Sequence, residues 1–530
     1  EFEYASFAWF HAGEAPLSLQ IEAGDLTATH GGMISRDQIV LRYAEPVQWS
    51  RGGLRPDALP LVDGPVPVGP GTTRAFWICI RTSDTPAGDY TGVVTLSADA
   101  DRHEIVLRVR VLPVSLPRPM PLTTYNWPYH EFAPIAADPA AAARDLAAHY
   151  IDTAPIHPTQ LPRFTIDDSG NVLQADYARF DEVVRLYMDA GIRKFIFFSF
   201  FGDWVGGLVR PLGHLAGGRQ FPIGTPEWEN AIASMTVHWL AHLESLGLSP
   251  EDCAMYPIDE PTDPMMEEGG IAILKQFKKA DPRVRTFITP HKHTSVSIMR
   301  KMANVVDIWC PHLYFETFPR DDDPDTWGDL IGFSQEEIEF FRERQKAGDA
   351  VHLYNCQEPS KSYHPIGRYR RLLWLAWHYG WTGAGHWAYA DTGRARGETS
   401  AWTDLDGARR DGAVIYDAAT APAHVTRKEA QIPSRRWEAW RDGVEDYAYL
   451  WLLRQERDRA AAAGQNAKAV AQADALLQRV APEIATQTRD PDAFNAARIR
   501  ILETIVALRR GSESSVETGK TRKAHRSRHD

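Results

Sequence analysis

The nine residues Cys253-Ala-Met-Tyr-Pro-Ile-Asp-Glu-Pro261 place two carboxylates directly after a short apolar run. The run Cys253–Ile258 has the length of a buried strand, and an amphipathic helical pattern, Glu227–Leu246, precedes it. Alternating helical and strand patterns are typical of a parallel α/β fold. The stretch therefore predicts one β/α unit, with Asp259 and Glu260 at the carboxyl end of its strand.

The same alternation extends on both sides of this unit, from Leu122 to about Ala390. Eight runs read as strands: Leu122–Trp127, Ile151–Ile156, Lys194–Phe201, Cys253–Ile258, Arg285–Thr289, Val306–Pro311, Val351–Asn355 and Ala384–Ala388. Helical patterns lie between them, among them Phe180–Ala190, Glu227–Leu246, Gly270–Ala280, Ser334–Lys346 and Ile366–Tyr379. Eight such units predict a (β/α)8 barrel, whose active site lies at the carboxyl ends of the strands.

Short period-two runs fill the chain before the barrel, from Ser18 to about Val114, and predict an antiparallel β-sandwich. Three prolines within Val114–Pro121 mark the boundary. After the barrel, Ala413–Tyr416 reads as a strand and helices follow to about Arg510. We predict a sandwich over residues 1–117, a catalytic barrel over 118–410, a strand and packing helices over 411–510, and a disordered basic tail over 511–530.

Composition excludes some classes of partner. Asp and Glu outnumber Lys and Arg by 70 to 58, so the net charge of −12 argues against a general nucleic-acid or anionic-membrane binder. The chain has no uninterrupted run of about 18 apolar residues, the length that a membrane-spanning helix needs, so we predict no membrane span. The four cysteines lack the paired spacing of zinc or disulfide frameworks. The chain begins at Glu1 rather than Met, so we expect a trimmed N-terminus from which any export signal would have been lost, and localisation stays open. The sequence leaves the oligomeric state open as well.

The Asp259–Glu260 pair is the strongest candidate for chemistry. Adjacent strand residues point to opposite faces, so both carboxylates reach the pocket only if the strand has begun to turn, which Pro261 favours. Two carboxyls in different surroundings can hold different protonation states, as glycoside hydrolysis requires. The alternative is a surface pair that caps the next helix.

Polar and aromatic residues also follow the other predicted strands, and such a gathering suits a carbohydrate pocket. The candidate substrate-binding residues are Tyr125, Asn126, Trp127, Asp203, Trp204, His291, His312, Tyr314, Glu358, His386, Trp387 and Tyr389, with His157 beside them. Any one of them could instead be a packing residue. His291 and His293 could form a metal pair, but no spacing fixes a third ligand, so we expect neither a metal nor another cofactor.

Three motifs in this order resemble the family 123 glycoside hydrolases: Pro86-Ala-Gly-Asp-Tyr-Thr-Gly92, Ile258-Asp-Glu-Pro261, and Pro433-Ser-Arg-Arg-Trp437 leading to Arg441-Asp-Gly-Val-Glu-Asp-Tyr447. The resemblance spans residues 18 to 455 and implies a retaining β-N-acetylgalactosaminidase that acts with substrate assistance. It implies that Asp259 orients the sugar's 2-acetamido group and that Glu260 protonates the leaving oxygen.

Two alternatives remain open at this stage. Glu358 follows predicted strand seven, where it could serve with Glu260 in a conventional two-carboxylate glycosidase on a neutral sugar. The chain could also be a carbohydrate-binding or scaffold protein without catalysis. In each case a glycan is the expected partner.

Overall fold

A computed structural model describes residues 2–48, 53–98, 101–130, 132–202, 209–315, 327, 329–356, 361, 364–392, 400–402 and 412–526. The N-terminal strands are β1 (Phe2–Phe10), β2 (Leu17–Ala23), β3 (Leu26–Ala28), β4 (Met33–Ile34), β5 (Ile39–Tyr43), β6 (Glu45–Gln48), β7 (Leu54–Ala58), β8 (Val66–Val68), β9 (Thr73–Arg81), β10 (Gly88–Ala98) and β11 (Asp101–Val111). One sheet has the order β1-β9-β5, and a second has the order β4-β3-β10-β2-β8 with β11 paired to β10. Apolar side chains of both sheets share one core, which confirms the predicted sandwich.

Eight parallel strands close into a barrel, as the sequence predicts. In barrel order they are β12 (Thr123–Asn126), β13 (Thr153–Ile156), β16 (Lys194–Gly202), β17 (Cys253–Ile258), β18 (Arg285–Ile288), β19 (Ile308–Trp309), β20 (Ala350–Asn355) and β21 (Gly383–His386). A hairpin, β14 (Arg163–Ile166) and β15 (Val172–Asp176), lies outside the barrel and was not predicted.

Helices surround the barrel: α1 (Ala133–Ala136), α2 (Pro139–Ala148), α3 (Ala178–Asp189), α4 (Pro226–Ser245), α5 (Asp263–Met265), α6 (Ile271–Ala280), α7 (Val296–Met302), α8 (Gln335–Ala347) and α9 (Arg371–Tyr379). Single π-helical turns, Met266–Gly270 and Ile366–Arg370, precede α6 and α9. Two separate cores result, because strand residues alternate between faces. One fills the barrel interior and includes Tyr125, Phe198 and Tyr256, and the other lies between the strands and the helices.

The C-terminal part packs on the barrel. It contains β22 (Ile415–Asp417), β23 (Gln431–Pro433), α10 (Arg435–Ala462), α11 (Ala467–Ala475), a π turn (Leu476–Val480), α12 (Ala481–Thr486) and α13 (Pro491–Arg526). Most of the first half of α10 is buried, and Asp446 on that helix accepts hydrogen bonds from Arg370 and Arg498. The helix that contains the Arg441–Tyr447 motif is therefore structural.

The C-terminal tail differs from its prediction. The backbone of α13 is helical to Arg526, whereas the composition of residues 511–530 predicts disorder. No proline follows Pro491, so no residue in this stretch removes a helical hydrogen bond. Within the described residues, no helix is both long and apolar enough to cross a membrane.

Candidate active site

The end of β17 brings two carboxylates to the same opening. Tyr256 faces the barrel interior, but a register irregularity beside β16 places Ile258 in the outer core. The Asp259 backbone N–H donates to Gly202 O at 3.1 Å, and Glu260 adopts a left-handed conformation with φ +39°. The strand has thus turned, and both side chains are half-buried at the barrel mouth.

Asp259 is held by a tyrosine from its own strand. The Tyr256 hydroxyl donates to Asp259 Oδ1 and lies 2.6 Å from Thr289 Oγ1. Burial, together with the adjacent Asp259 charge, raises the pKa of Tyr256 well above its usual range. The phenol therefore keeps its proton and acts as a donor to the carboxylate.

Thr289 connects the two carboxylates. Its hydroxyl oxygen accepts the backbone N–H of Glu260 at 2.9 Å. Because the Tyr256 hydrogen is directed to Asp259, the Thr289 hydroxyl donates to the Tyr256 oxygen. The direction of donation thus runs from the Glu260 backbone through Thr289 and Tyr256 to Asp259.

The Glu260 side chain has different partners. Its Oε1 accepts from the Tyr354 hydroxyl and lies 3.5 Å from the Cys356 thiol, both contributed by the end of β20. Its Oε2 lies 3.7 Å from His291 Nε2. The two carboxylates are therefore adjacent in sequence, but Asp259 is held by Tyr256 whereas Glu260 contacts a separate set of side chains.

Histidines line the neighbouring side of the opening. The His291 and His312 rings stack with centroids 5.9 Å apart, and Tyr314 lies 4.0 Å from His312. Burial, followed by the charges of His291 and Arg368, lowers the pKa of His312 well below its usual range. Burial also lowers the pKa of His291, against the opposing effect of the Glu260 carboxylate. Both imidazoles are accordingly neutral near pH 7.

Aromatic side chains form the opposite wall. Trp387 donates from Nε1 to the Tyr129 hydroxyl at 2.8 Å, and both residues are half-buried. His157 contacts Tyr129 with a ring separation of 5.3 Å, and Trp127 packs beneath them against Tyr354. Such flat surfaces suit the apolar face of a sugar ring.

The structure brings together many of the candidate residues. Asp259, Glu260, His291, His312, Tyr314, Trp387 and His157 lie around the opening, and Trp127 is buried beneath it. Tyr125 lies inside the barrel but is fully buried, with its hydroxyl 2.6 Å from Cys310 Sγ, so it packs in the interior core and does not line the opening. Asp203, Trp204 and Glu358 lie outside the described residues.

Three candidates face the outer layer, and for them the binding expectation is corrected. Asn126 and His386 are neighbours on adjacent strands and alternate with interior residues, so both point away from the pocket. His386 accordingly lies 4.6 Å from the Tyr369 ring. Tyr389 donates to Asp145 at 2.8 Å and packs against Trp437.

Sequence reasoning missed Tyr129, Tyr256, Thr289, Tyr354 and Cys356. A signal existed for Tyr256 and Tyr354, because each occupies an inward position near the end of a predicted strand. Among the described residues, one group of three offers ligand atoms within 4.8 Å of one another: Glu260, His312 and Cys356. The His291–His293 pair is not part of that group.

The whole chain superposes on a solved structure of a family 123 glycoside hydrolase from Clostridium perfringens. The TM-score is 0.68 at 12% sequence identity, over 98% of this chain and 94% of that one. The fold is that of a family 123 glycoside hydrolase. The study of the clostridial enzyme concerns its hydrolysis of glycolipid glycans.

Other solved glycosidases overlap less well. An endo-β-1,4-mannanase from Thermotoga petrophila matches with a TM-score of 0.37 and 15% identity, over 62% of this chain and 77% of its own. A β-xylosidase from Caulobacter crescentus matches with a TM-score of 0.38 and 13% identity, over 62% and 68%. No protein-family model and no curated protein sequence matches the chain.

Proposed function

We propose that this protein is a retaining glycoside hydrolase that cleaves β-linked 2-acetamido sugars, of the N-acetylgalactosaminide kind, through Asp259 and Glu260. The observation that carries the proposal is the pair of adjacent carboxylates at one opening with different partners. Tyr256 donates to Asp259, whereas Tyr354 and Cys356 contact Glu260. The fold shared with the clostridial enzyme supports the same class of chemistry.

In this mechanism Asp259 acts on the acetamido group of the substrate. Its ionised carboxylate accepts the amide N–H, which turns the amide oxygen toward the anomeric carbon. That oxygen forms a bond to the anomeric carbon as the glycosidic C–O bond breaks. The resulting positive charge lies beside Asp259, and Tyr256 fixes the rotamer of this carboxylate.

Glu260 supplies the proton to the leaving oxygen. Its Oε1 is already an acceptor for Tyr354 and Cys356, so the transferable proton is expected on Oε2. After the aglycone departs, the ionised Glu260 takes a proton from water as that water attacks the anomeric carbon. The bond to the acetamido oxygen breaks as the bond to water forms, and the β-configuration is retained.

A leaving-group series separates the two roles. We expect Glu260→Gln to lose about 10²- to 10⁴-fold in rate on aryl N-acetyl-β-galactosaminides with basic leaving groups, the range typical of general acid catalysis. Its loss should be small on dinitrophenyl glycosides, which depart without protonation. Asp259→Asn should lose rate on all aglycones alike, because it disturbs bond formation by the acetamido oxygen.

Thr286→Val serves as the control, since Thr286 lies at the opposite end of the neighbouring strand and bonds Val305 O at 2.5 Å. A Glu260→Gln protein that hydrolyses every aglycone as well as the wild type would contradict the proposal. So would wild-type protein without turnover of any 2-acetamido glycoside.

A further inference from the structure

The ends of three barrel strands place a carboxylate, an imidazole and a thiol around one point. Cys356 Sγ lies 3.5 Å from His312 Nε2 and 3.5 Å from Glu260 Oε1. All three ligand atoms lie within 4.8 Å of one another. We propose that Glu260, His312 and Cys356 form a binding site for a divalent metal ion of the zinc type.

The two separations that involve Cys356 Sγ fit the metal. Zinc bonds to sulfur at about 2.3 Å and to nitrogen or oxygen at about 2.0–2.2 Å, and structural and catalytic sites are usually tetrahedral. Two such ligands on a tetrahedron are about 3.5 Å apart, which follows from those bond lengths. The two sulfur-containing edges of this cluster already have that length, namely 3.5 Å each. Three protein ligands would leave the fourth position toward the opening.

The lone pair of His312 lies on Nε2, the ring nitrogen near this point, where it accepts a long backbone hydrogen bond that a metal would displace. His312 is buried, and its Nε2 accepts the backbone N–H of Cys356 at 3.3 Å. A backbone N–H can only donate, so Nε2 carries no proton and Nδ1 carries one. A metal therefore has no proton to displace from His312.

The ligand atoms and their charges indicate the class of metal ion. Binding would form one bond each to Nε2, Oε1 and Sγ, and it would release two protons to solvent, one from the Cys356 thiol and one from Glu260 in its role of general acid. Thiolate and imidazole ligands favour zinc and similar transition metals over magnesium or calcium. The ionised Cys356 and Glu260 would together neutralise the double positive charge.

The consequence for catalysis rests on the proposed function. A metal on Glu260 Oε1 would hold this carboxylate ionised and remove the general acid. Zinc would then inhibit hydrolysis, and a chelator would restore it. The site would make the glycosidase responsive to free transition metal.

Direct binding tests the site without any reference to hydrolysis. Metal-free protein is titrated with Zn²⁺ by calorimetry in buffers of different ionisation enthalpy, and with Co²⁺ by absorption spectroscopy. We expect one ion per chain, release of about two protons (one from Cys356 and one from Glu260), and a thiolate-to-Co²⁺ charge-transfer band in the near ultraviolet. In Cys356→Ser the band should vanish and the Zn²⁺ affinity should fall at least about 100-fold. Such a loss exceeds the one typical of residues that only hydrogen-bond to a metal ligand.

Cys79→Ser is the matched control, because Cys79 lies in the sandwich strand β9 beside Arg441. It should bind both ions like the wild type, and thermal melts without metal should verify that each variant folds. A wild-type protein that binds no Zn²⁺, or a Cys356→Ser protein that binds Zn²⁺ and Co²⁺ unchanged, would overturn the site. Metal binding without turnover of any glycoside would overturn the proposed function and leave the site standing.

Discussion

The hydroxyl oxygen of Thr289 accepts the backbone N–H of Glu260 at 2.9 Å. This bond fixes the residue at which β17 turns, since Glu260 has φ +39°. The same hydroxyl group lies 2.6 Å from the Tyr256 oxygen, and Tyr256 donates to Asp259. One side chain from the neighbouring strand therefore positions both candidate catalytic carboxylates.

Thr289→Val should lower kcat by about 10- to 100-fold, because loss of the hydroxyl frees both carboxylates from their alignment. Valine keeps the shape of threonine, so folding should be little affected. The measurement is kcat and KM on an aryl N-acetyl-β-galactosaminide, with Thr286→Val alongside. Equal kcat values for both variants would show that the hydroxyl has no positioning role.

Tyr354→Phe should lower kcat by about 10-fold and leave KM nearly unchanged, since the hydroxyl donates to Glu260 Oε1 and holds its rotamer. The loss should be largest for basic leaving groups, which depend on the acid. The measurement is the steady-state kcat and KM of Tyr354→Phe on aryl N-acetyl-β-galactosaminides whose leaving groups differ in basicity. A loss that is independent of the leaving group would assign Tyr354 to another role.

Trp387→Ala should raise KM by about 10-fold, because the indole is half-buried at the opening and can cover a sugar face. Trp387→Phe keeps a flat ring but loses the bond to Tyr129, so it should recover most of the affinity. The measurement is the KM of Trp387→Ala and of Trp387→Phe, taken from substrate saturation curves. If both variants match the wild type in KM, the aromatic wall does not contact the sugar.

Asp446→Asn should lower the free energy of unfolding by about 3–5 kcal/mol at pH 7, because it removes the carboxylate that two buried guanidinium groups share. Asp446 is fully buried and accepts from Arg370 and Arg498 at 2.6 Å each and from Trp374 at 2.8 Å. Burial alone would raise the pKa of Asp446, but the two arginines lower it.

The lowered pKa of Asp446 sets how its contribution to the free energy of unfolding changes with pH. A carboxyl whose folded pKa is depressed stabilises the fold above its unfolded pKa, near 3.9, and loses that contribution as the pH falls. Urea denaturation from pH 7 to pH 3 should therefore show the variant and the wild type converging in acid. Asp168→Asn, which removes an exposed partner of Arg219, should change little at any pH. A constant difference between Asp446→Asn and the wild type would refute the assignment.

Much of the fold follows from local pattern. The run Cys253–Ile258 is a strand with the predicted bounds, because six apolar residues are followed by turn-forming Asp-Glu-Pro. Strand six is shorter than Val306–Pro311 predicts, since only Ile308–Trp309 pairs within the sheet. β1 was missed because its alternation is weak and its stability comes from pairing with the distant strand β9.

The site was predicted less completely, because side-chain direction depends on register. Asn126 and His386 follow strands as the pocket residues do, yet alternation turns them outward. Asp259 faces inward only because the register shifts near Ile258, which no local pattern encodes. Cys356 and His312 meet across 44 residues of sequence, so only the closed barrel brings them together.

The most direct test of the central claim compares hydrolysis rates of paired aryl β-galactosides that differ only at C2, acetamido against hydroxyl. Glu260→Gln protein serves as the blank. We expect turnover of the acetamido sugar alone, because its own amide oxygen supplies the nucleophile beside Asp259. Equal or faster turnover of the hydroxyl sugar would contradict substrate assistance and require a nucleophile from the protein.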